Sequence, residues 1–214
     1  MLVANHSGTL PYDGAMIGLG VNKEHPTRRS IRFLVEDFVY HSPFMGTFMS
    51  RIGGVRACPE NATWLLKKGE LVVVFPEGVK GLGKLYRDRY QLQRFGRGGF
   101  IRLAIKTGAP IIPTAVIGAE EIHPTIWKSS ILAKSMGIPY LPVTPTFPWM
   151  GPLGLVPFPT KWEIIFGKPI VFGKYKPEDA DDNLLIHKLS EQVRQTIQKM
   201  VNRALKKRKS IWFG

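Results

Sequence analysis

The sequence predicts an α/β fold with a central mixed, mostly parallel sheet flanked by helices. Apolar segments of strand length alternate with segments of helical pattern, which is the order typical of such folds. Residues 71–75 are an uninterrupted apolar run rich in valine, as expected for a strand covered on both faces. The 214 residues are enough for one core and contain no segment of linker composition. We therefore expect a single domain over residues 1–214.

The first part of the chain predicts strands and helices in alternation. Asp13 can cap a short helix over residues 14–21. Pro59 suits the first turn of a helix that reaches Lys68, and Gly69 favours its end there. The other elements expected here are the strands Leu2–Ala4 and Ile31–Val35 and a short helical region over residues 44–51.

The second part continues the alternation and ends in a long helix. The expected elements are a helix over residues 100–107, strands over 111–117 and 162–166, and a terminal helix over 181–207. Apolar residues recur in the terminal helix at steps of three and four, which favours core contact over a partner-binding face. Residues 178–214 thus predict a C-terminal helix and a basic tail. The tail joins cations to Trp212 and Phe213 as interfacial anchors do, and a solvated, frayed end is the alternative.

An apolar, proline-rich segment covers residues 136–159. These 24 residues carry no charge, and by length alone they could span a bilayer. Seven prolines break any such helix, so the segment predicts an irregular apolar loop. The loop could line an acyl-chain groove or dip into the lipid interface, and simple packing over the sheet edge is equally open.

A histidine and an aspartate lie on the loop that follows the first predicted strand. The loop runs from Asn5 to Asp13 and contains His6. A histidine removes a proton near neutral pH only if its ring is held, and a carboxylate that accepts the other ring N–H holds it. His6 and Asp13 would be two members of a catalytic triad that has no protein nucleophile. We therefore expect the nucleophile to be a substrate hydroxyl, while helix capping is the other interpretation of Asp13.

Four ordered blocks of the sequence carry a family resemblance. They are the His6 loop, Gly54-Val55-Arg56, Phe75-Pro76-Glu77-Gly78 and Ala109-Pro110-Ile111-Ile112-Pro113. Together they resemble the glycerolipid acyltransferase superfamily, which includes lysophospholipid and glycerol-phosphate acyltransferases, over roughly residues 2–170. Six residues separate His6 from Asp13, two more than in the family pattern. The resemblance implies an acyltransferase-like fold and, because relatives normally have a segment before the His motif, a truncated N-terminus.

The resemblance also implies an activity. It is that of an acyltransferase transferring groups other than aminoacyl groups, which moves a fatty acyl group from acyl-CoA or an acyl carrier protein to a glycerolipid hydroxyl at a membrane surface. No further cofactor is implied. His6 would be the catalytic base and Asp13 its orienter. Glu77 would bind or order acceptor hydroxyls, or alternatively pair with a nearby cation, and Gly78 would allow close backbone approach.

Three cations are candidates for binding substrate phosphates. Many relatives continue the Phe-Pro-Glu-Gly block with Thr-Arg or Ser-Arg, whereas this chain continues with Val79 and Lys80. Lysine offers a point charge rather than a planar fork, so we expect less selective phosphate binding. Arg56 is the second candidate for the acceptor phosphate, and Lys84 belongs to a basic stretch suited to phosphate. A solvated basic face is the alternative for each.

The charge and the cysteine content bound the function classes. A formal net charge of +14 favours polyanionic partners such as an anionic bilayer, nucleic acid or coenzyme A. The single cysteine, Cys58, excludes an internal disulfide and a Cys-based zinc cluster and fits a reducing compartment. We expect a peripheral protein at the cytoplasmic face of a membrane that binds an anionic surface, with no metal and no nucleic acid. A basic nucleic-acid-binding protein and a catalytically silent lipid-binding relative are the alternatives.

Overall fold

The centre of the molecule is a six-stranded, mostly parallel sheet. The computed structural model describes residues 1–8, 10, 12–41, 45–129, 133 and 140–213. In spatial order the strands are β3 (Gly54–Arg56), β2 (Ile31–Val35), β4 (Leu71–Val74), β1 (Leu2–Ala4), β5 (Ile112–Ile117) and β8 (Glu163–Phe166). The first five are parallel, and β8 runs antiparallel to β5. The predicted α/β class with a mixed, mostly parallel sheet is confirmed.

Seven helices of the described residues surround this sheet or connect its strands. They are α1 (Tyr12–Glu24), α2 (Asp37–His41), α3 (Met45–Arg51), α4 (Pro59–Lys67), α5 (Val79–Leu82), α6 (Gly99–Thr107) and α7 (Asn183–Lys207). The predicted helix over 14–21 extends further at both ends, and residue 44 lies outside the described residues. The terminal helix begins two residues later than predicted because Asp182 is its cap: Oδ1 accepts the N–H groups of Leu184 and Leu185 at 2.9 and 3.1 Å. No helix in the described part of the chain combines the length and the apolar composition of a membrane span.

Both faces of the sheet are covered, as the valine run of β4 predicts. Val72 points into the larger core cluster, which includes Ile101 of α6 and Ile197 of α7. Val73 points to the opposite side, where Ile17 of α1 belongs to the second cluster. Successive residues of a strand face opposite sides, so the fully buried pair shows that neither side of β4 meets solvent. The apolar stripe of α7 is therefore core contact.

The proline-rich segment is more regular than predicted. Leu141–Val143 forms strand β7, which pairs antiparallel with β6 (Trp127–Ser129). Residues Gly151–Leu155 form a short 3-10 helix. Pro142 lies opposite Lys128 in this two-stranded ribbon, where a residue without an N–H donor is tolerated because each strand has one open edge. The prediction of a wholly irregular loop was wrong for residues 141–143, and residues 136–139 lie outside the described residues.

Candidate active site

The carboxyl ends of the parallel strands bring most of the predicted site residues to one edge of the sheet. His6 follows β1, Glu77 follows β4, and Arg56 is the last residue of β3. Because β1 and β4 are neighbours, the His6 and Glu77 loops are adjacent, whereas β3 is the outermost strand on that side. Ligands of open α/β sheets bind at this edge.

His6 and Asp13 form a close, buried pair. His6 Nδ1 lies 2.7 Å from Asp13 Oδ2, and both residues are buried. An ionised carboxylate only accepts hydrogen bonds, so Nδ1 carries the proton and Nε2 is the nitrogen that remains for a substrate. Asp13 is held in turn, because Oδ2 also accepts the Ser7 N–H at 3.0 Å and Oδ1 accepts the Gly14 N–H at 2.9 Å. The carboxylate can therefore fix both the tautomer and the orientation of the ring.

The six intervening residues do not keep the pair apart, and the described part of this loop has a tight backbone turn at Gly8. Gly8 has φ +85°, in the left-handed region, and a Cβ there would meet the Ala119 carbonyl oxygen at 2.9 Å. The helix α1 then begins at Tyr12, which places Asp13 in its first turn rather than before it. The Asp13 oxygens accept hydrogen bonds from His6, Ser7 and Gly14. Asp13 therefore does not cap a helix over residues 14–21, as the alternative interpretation predicted.

Two neighbours fix the position of His6 further. The imidazole stacks on Phe75, with ring centroids 4.3 Å apart. Asn5, the residue before it, donates from Nδ2 to the Val116 carbonyl at 3.0 Å and accepts the Val116 N–H at Oδ1 at 2.8 Å. The Asn5 amide thus extends the pairing of β1 with β5 by one step, and His6 leaves the sheet from a fixed point.

Glu77 is buried and engaged with protein groups on both oxygens. Oε1 accepts the His6 backbone N–H at 2.9 Å, and Oε2 accepts the Gln93 N–H at 2.6 Å. Oε2 also lies 3.4 Å from Lys84 Nζ, and Lys84 donates to Glu120 Oε1 at 2.9 Å. These contacts match the interpretation of Glu77 as a carboxylate that pairs with a nearby cation, and contact with acceptor hydroxyls stays a prediction. Within the described ranges, no three His, Cys, Asp or Glu side chains are grouped so as to ligate a metal ion.

The glycines of the Glu77 loop allow close packing. Gly78 has φ +53°, and a Cβ there would lie 3.0 Å from Glu36 Oε1. Gly81, in α5, has still less room, since a Cβ would come within 2.8 Å of His6 Cβ and 2.7 Å of Glu77 Cβ. The helix α5 is thus pressed directly against the candidate base.

The three predicted phosphate contacts lie in different environments. The exposed Arg56 forms a bidentate ion pair with Asp37, in which Nε donates to Oδ1 at 2.6 Å and Nη2 donates to Oδ2 at 3.0 Å. The Asp37 carboxylate accordingly raises the pKa of Arg56. Lys80 is exposed on α5, but the Lys84 side chain is only 3% exposed and faces two carboxylates. Phosphate binding stays a prediction for all three, and the buried Lys84 has the least access to a ligand.

Sequence reasoning missed Asp37 and Glu120, the partners of two predicted cations. Both residues come shortly after strands, Asp37 two residues past the end of β2 and Glu120 three residues past the end of β5, at the edge that carries His6. An acidic residue just past a buried strand was the available signal. Its partner could not be named without the order of the strands.

Fold and site together define a class of protein, namely α/β proteins with a buried His and Asp pair at the carboxyl edge of the sheet. The family model described as Acyltransferase matches residues 1–117, more than half of the chain. The chain belongs to this family, the glycerolipid acyltransferase superfamily that its four motifs resemble.

Two curated proteins and one solved structure are similar to this chain. An uncharacterised protein of Mycobacterium tuberculosis (strain H37Rv) is 50% identical over 214 residues, which are all of this chain and 60% of that protein. A "DGAT1/2-independent enzyme synthesizing storage lipids" from Gallus gallus is 26% identical over 177 residues, 82% of this chain and 48% of that protein. The crystal structure of the 1-acyl-sn-glycerophosphate (LPA) acyltransferase PlsC from Thermotoga maritima shares the fold, with a TM-score of 0.59 and 19% identity over 98% of this chain and 67% of that one. The chain thus spans about 60% of the length of its mycobacterial relative.

Proposed function

We propose that this chain is the acyltransferase domain of an enzyme that moves a fatty acyl group from acyl-CoA or an acyl carrier protein to a glycerolipid hydroxyl. The observation that carries the proposal is the buried His6 and Asp13 pair, 2.7 Å apart at the carboxyl edge of the sheet. Family membership supports acyl transfer. Two relatives named for storage-lipid synthesis and for 1-acyl-sn-glycerophosphate support a glycerolipid acceptor.

The pair can catalyse the transfer without a protein nucleophile. His6 Nε2 takes the proton of the acceptor hydroxyl while the hydroxyl oxygen attacks the thioester carbonyl carbon. The tetrahedral intermediate then collapses, its C–S bond breaks, and the proton passes from the imidazolium to the leaving thiolate. Asp13 stabilises the imidazolium through Nδ1 during both steps.

The oxyanion of the intermediate needs donors other than the two nearest backbone N–H groups. The His6 N–H is bound to Glu77, and the Ser7 N–H is bound to Asp13. Both N–H groups therefore stabilise the loop and are not free to donate to an oxyanion. We therefore assign oxyanion stabilisation to a group that approaches the substrate from another loop of the same edge.

A panel of acceptors tests the proposed function. Protein with labelled acyl-CoA or acyl carrier protein is supplied with glycerol phosphate, lysophosphatidate, other lysophospholipids, monoacylglycerol and diacylglycerol. We expect a labelled ester product with at least one of these acceptors, and none with folded His6→Ala protein. Turnover of the thioester to free acid alone would assign a thioesterase instead.

We further propose that the protein acts as a peripheral protein at the cytoplasmic, anionic face of a membrane. Residues 149–156 present Trp149, Leu153 and Val156 with 74%, 68% and 60% of their surface exposed. Trp127, on the ribbon that leads into this segment, is 59% exposed. Exposed tryptophan and aliphatic side chains together are typical of a surface that enters the lipid interface. We call residues 149–156 the apolar segment.

The C-terminal tail contacts Phe158, two residues beyond the apolar segment, and is held to the protein by hydrogen bonds. The Trp212 ring packs edge-on against Phe158, with centroids 6.4 Å apart. The Arg208 guanidinium donates to Glu121 Oε1 at 2.9 Å and to the Tyr90 hydroxyl at 3.1 Å. Arg208 therefore binds groups of the protein itself. The exposed lysines at the end of α7 and in the tail remain available to anionic lipid: Lys206, Lys207 and Lys209.

A further inference from the structure

A buried charge network lies behind the candidate base. It consists of Glu77 after β4, Lys84 after α5 and Glu120 after β5. Lys84 Nζ lies 2.9 Å from Glu120 Oε1 and 3.4 Å from Glu77 Oε2. The three side chains are 3%, 5% and 0% exposed for Lys84, Glu120 and Glu77. Groups this well shielded cannot exchange their partners for water at small cost.

The network is connected to His6 through the backbone. Glu77 Oε1 accepts the His6 N–H at 2.9 Å, so the position of this carboxylate sets the position of the residue that carries the imidazole. Gly81 packs tightly against the same two residues, since a Cβ there would not fit between His6 and Glu77. The backbone of α5 therefore leaves no room for either residue to move towards it. A displacement of Glu77 would therefore be transmitted to His6 rather than absorbed.

Lys84 is what keeps the two carboxylates together. One ammonium serves both, and without it Glu77 and Glu120 would be two buried like charges. Burial raises the pKa of Glu120, and Lys84 opposes that rise. Oε2 of Glu77, which faces Lys84, also accepts the Gln93 N–H, and the other oxygen of Glu120, Oε2, accepts the Tyr90 N–H. These bonds tie residues 90–93 to the same cluster.

We propose that Lys84 and Glu120 are positioning residues for acyl transfer, which hold Glu77 against the His6 backbone and thereby keep the imidazole aligned with Asp13. This rests on the proposed function of His6 as the base. It differs from the phosphate contact that the sequence predicts for Lys84, because a positioning residue acts on the rate step and a phosphate contact acts on substrate affinity.

Steady-state kinetics of Lys84→Met distinguishes the two roles. We expect kcat to fall about 10- to 100-fold, as for a small misplacement of a catalytic group, with both substrate KM values within about twofold of the unmodified protein. Lys84→Arg should recover much of the rate because it keeps the charge. The matched control is Lys106→Met, which removes a lysine that pairs with the exposed Asp181 at 3.5 Å, outside the network.

A double variant tests the mechanism of the loss. Adding Glu120→Gln to Lys84→Met removes one of the two uncompensated charges, while Glu77 keeps its bonds from His6 and Gln93. We expect kcat to rise again relative to Lys84→Met alone. If Lys84→Met does not fold, the same comparison of the change in kcat with the change in KM is made for Lys84→Arg and Glu120→Gln.

A readout independent of turnover completes the test. The downfield NMR signal of the His6 Nδ1 proton, assigned by its loss in His6→Ala, should shift or broaden in Lys84→Met and not in Lys106→Met. A raised KM with unchanged kcat, or an unperturbed signal with normal turnover, would overturn the proposal. Unmodified protein that acylates none of the acceptors would instead refute the proposed function.

Discussion

At the scale of single residues, the site depends on carboxylates that each hold more than one group. Asp13 accepts from His6, Ser7 and Gly14, and Glu77 accepts from His6 and Gln93. A carboxylate with several donors is fixed in position, and it fixes those donors in return. The backbone and the ring of His6 are therefore restrained by two different acids.

Removal of the candidate base should abolish transfer and leave the fold intact. We expect His6→Ala to lower kcat on the order of 100-fold or more, because general-base catalysis contributes at least that much. Asp13→Asn should also be costly, since an amide in place of the carboxylate weakens the 2.7 Å contact that fixes the tautomer. The measurement is initial-rate acyl transfer, with circular dichroism as the check on folding. His25→Ala, a change at an exposed histidine, is the control, and near-normal turnover in folded His6→Ala would contradict the mechanism.

The Arg56 and Asp37 pair predicts how an anionic acceptor is used. With lysophosphatidate as acceptor, we expect Arg56→Ala to raise the acceptor KM, and Asp37→Asn to lower it by releasing the guanidinium. Each change should be about tenfold or less, because both side chains are exposed and an exposed charged pair is worth at most about 1 kcal/mol. Kinetics against the acceptor and the acyl donor separately provide the measurement. A change in the donor KM alone would show that Arg56 serves the acyl carrier.

The sequence predicted residues better than it predicted their partners. His6, Asp13, Glu77 and Arg56 could be found because their motifs are local. The contact of Lys84 with Glu120 joins residues 36 positions apart, and that of Arg56 with Asp37 joins residues 19 apart. Such pairs depend on which strands are neighbours, and a single sequence does not give that order.

At the scale of elements, the short helices depend on tertiary contacts more than on the helix propensity of their own residues. The strands Leu2–Ala4 and Ile31–Val35 were predicted with the observed bounds, since apolar runs covered by helices have a strong local signal. The four-residue helix α5, which contains Gly81, has no such signal. Helices this short are not stable alone, so α5 is held by its packing against His6 and Glu77.

A methyl group at Gly81 should disturb the site through this packing. The Cβ of Gly81→Ala would lie 3.0 Å from the His6 carbonyl oxygen and closer still to two Cβ atoms, so backbone must move. We expect a loss of about 1–3 kcal/mol in the free energy of unfolding, as for an overpacked core, together with a lower kcat. Gly99→Ala is the matched control, because nothing lies within 4 Å of its Cβ. Urea unfolding and kinetics of both variants decide, and equal behaviour would show that α5 can shift freely.

At the scale of the whole molecule, the proposed membrane surface would combine two different interactions, one through charge and one through apolar side chains. Some cations of the net +14 chain are paired within the protein, as Arg56 is with Asp37 and Arg208 with Glu121. The lysines at the end of α7 and in the tail are exposed, and Trp212 of the tail packs against Phe158, two residues beyond the apolar segment. Phe158 thus packs within the protein, and Trp149 and Leu153 are the most exposed apolar side chains of residues 149–156.

These two interactions should differ in their response to salt. Attraction to an anionic surface is worth about 1 kcal/mol per nearby lysine and is screened by salt, whereas insertion of apolar side chains is not. Replacing Lys206, Lys207 and Lys209 with Gln should therefore weaken binding to anionic vesicles mainly at low salt, while Trp149→Ser with Leu153→Ser should weaken it at every salt concentration. Leu184→Ser is the control, since Leu184 is 84% exposed but lies at the start of α7. Vesicle flotation measures both effects, and protein that stays in the soluble fraction at low salt would show that the apolar segment serves a contact other than lipid.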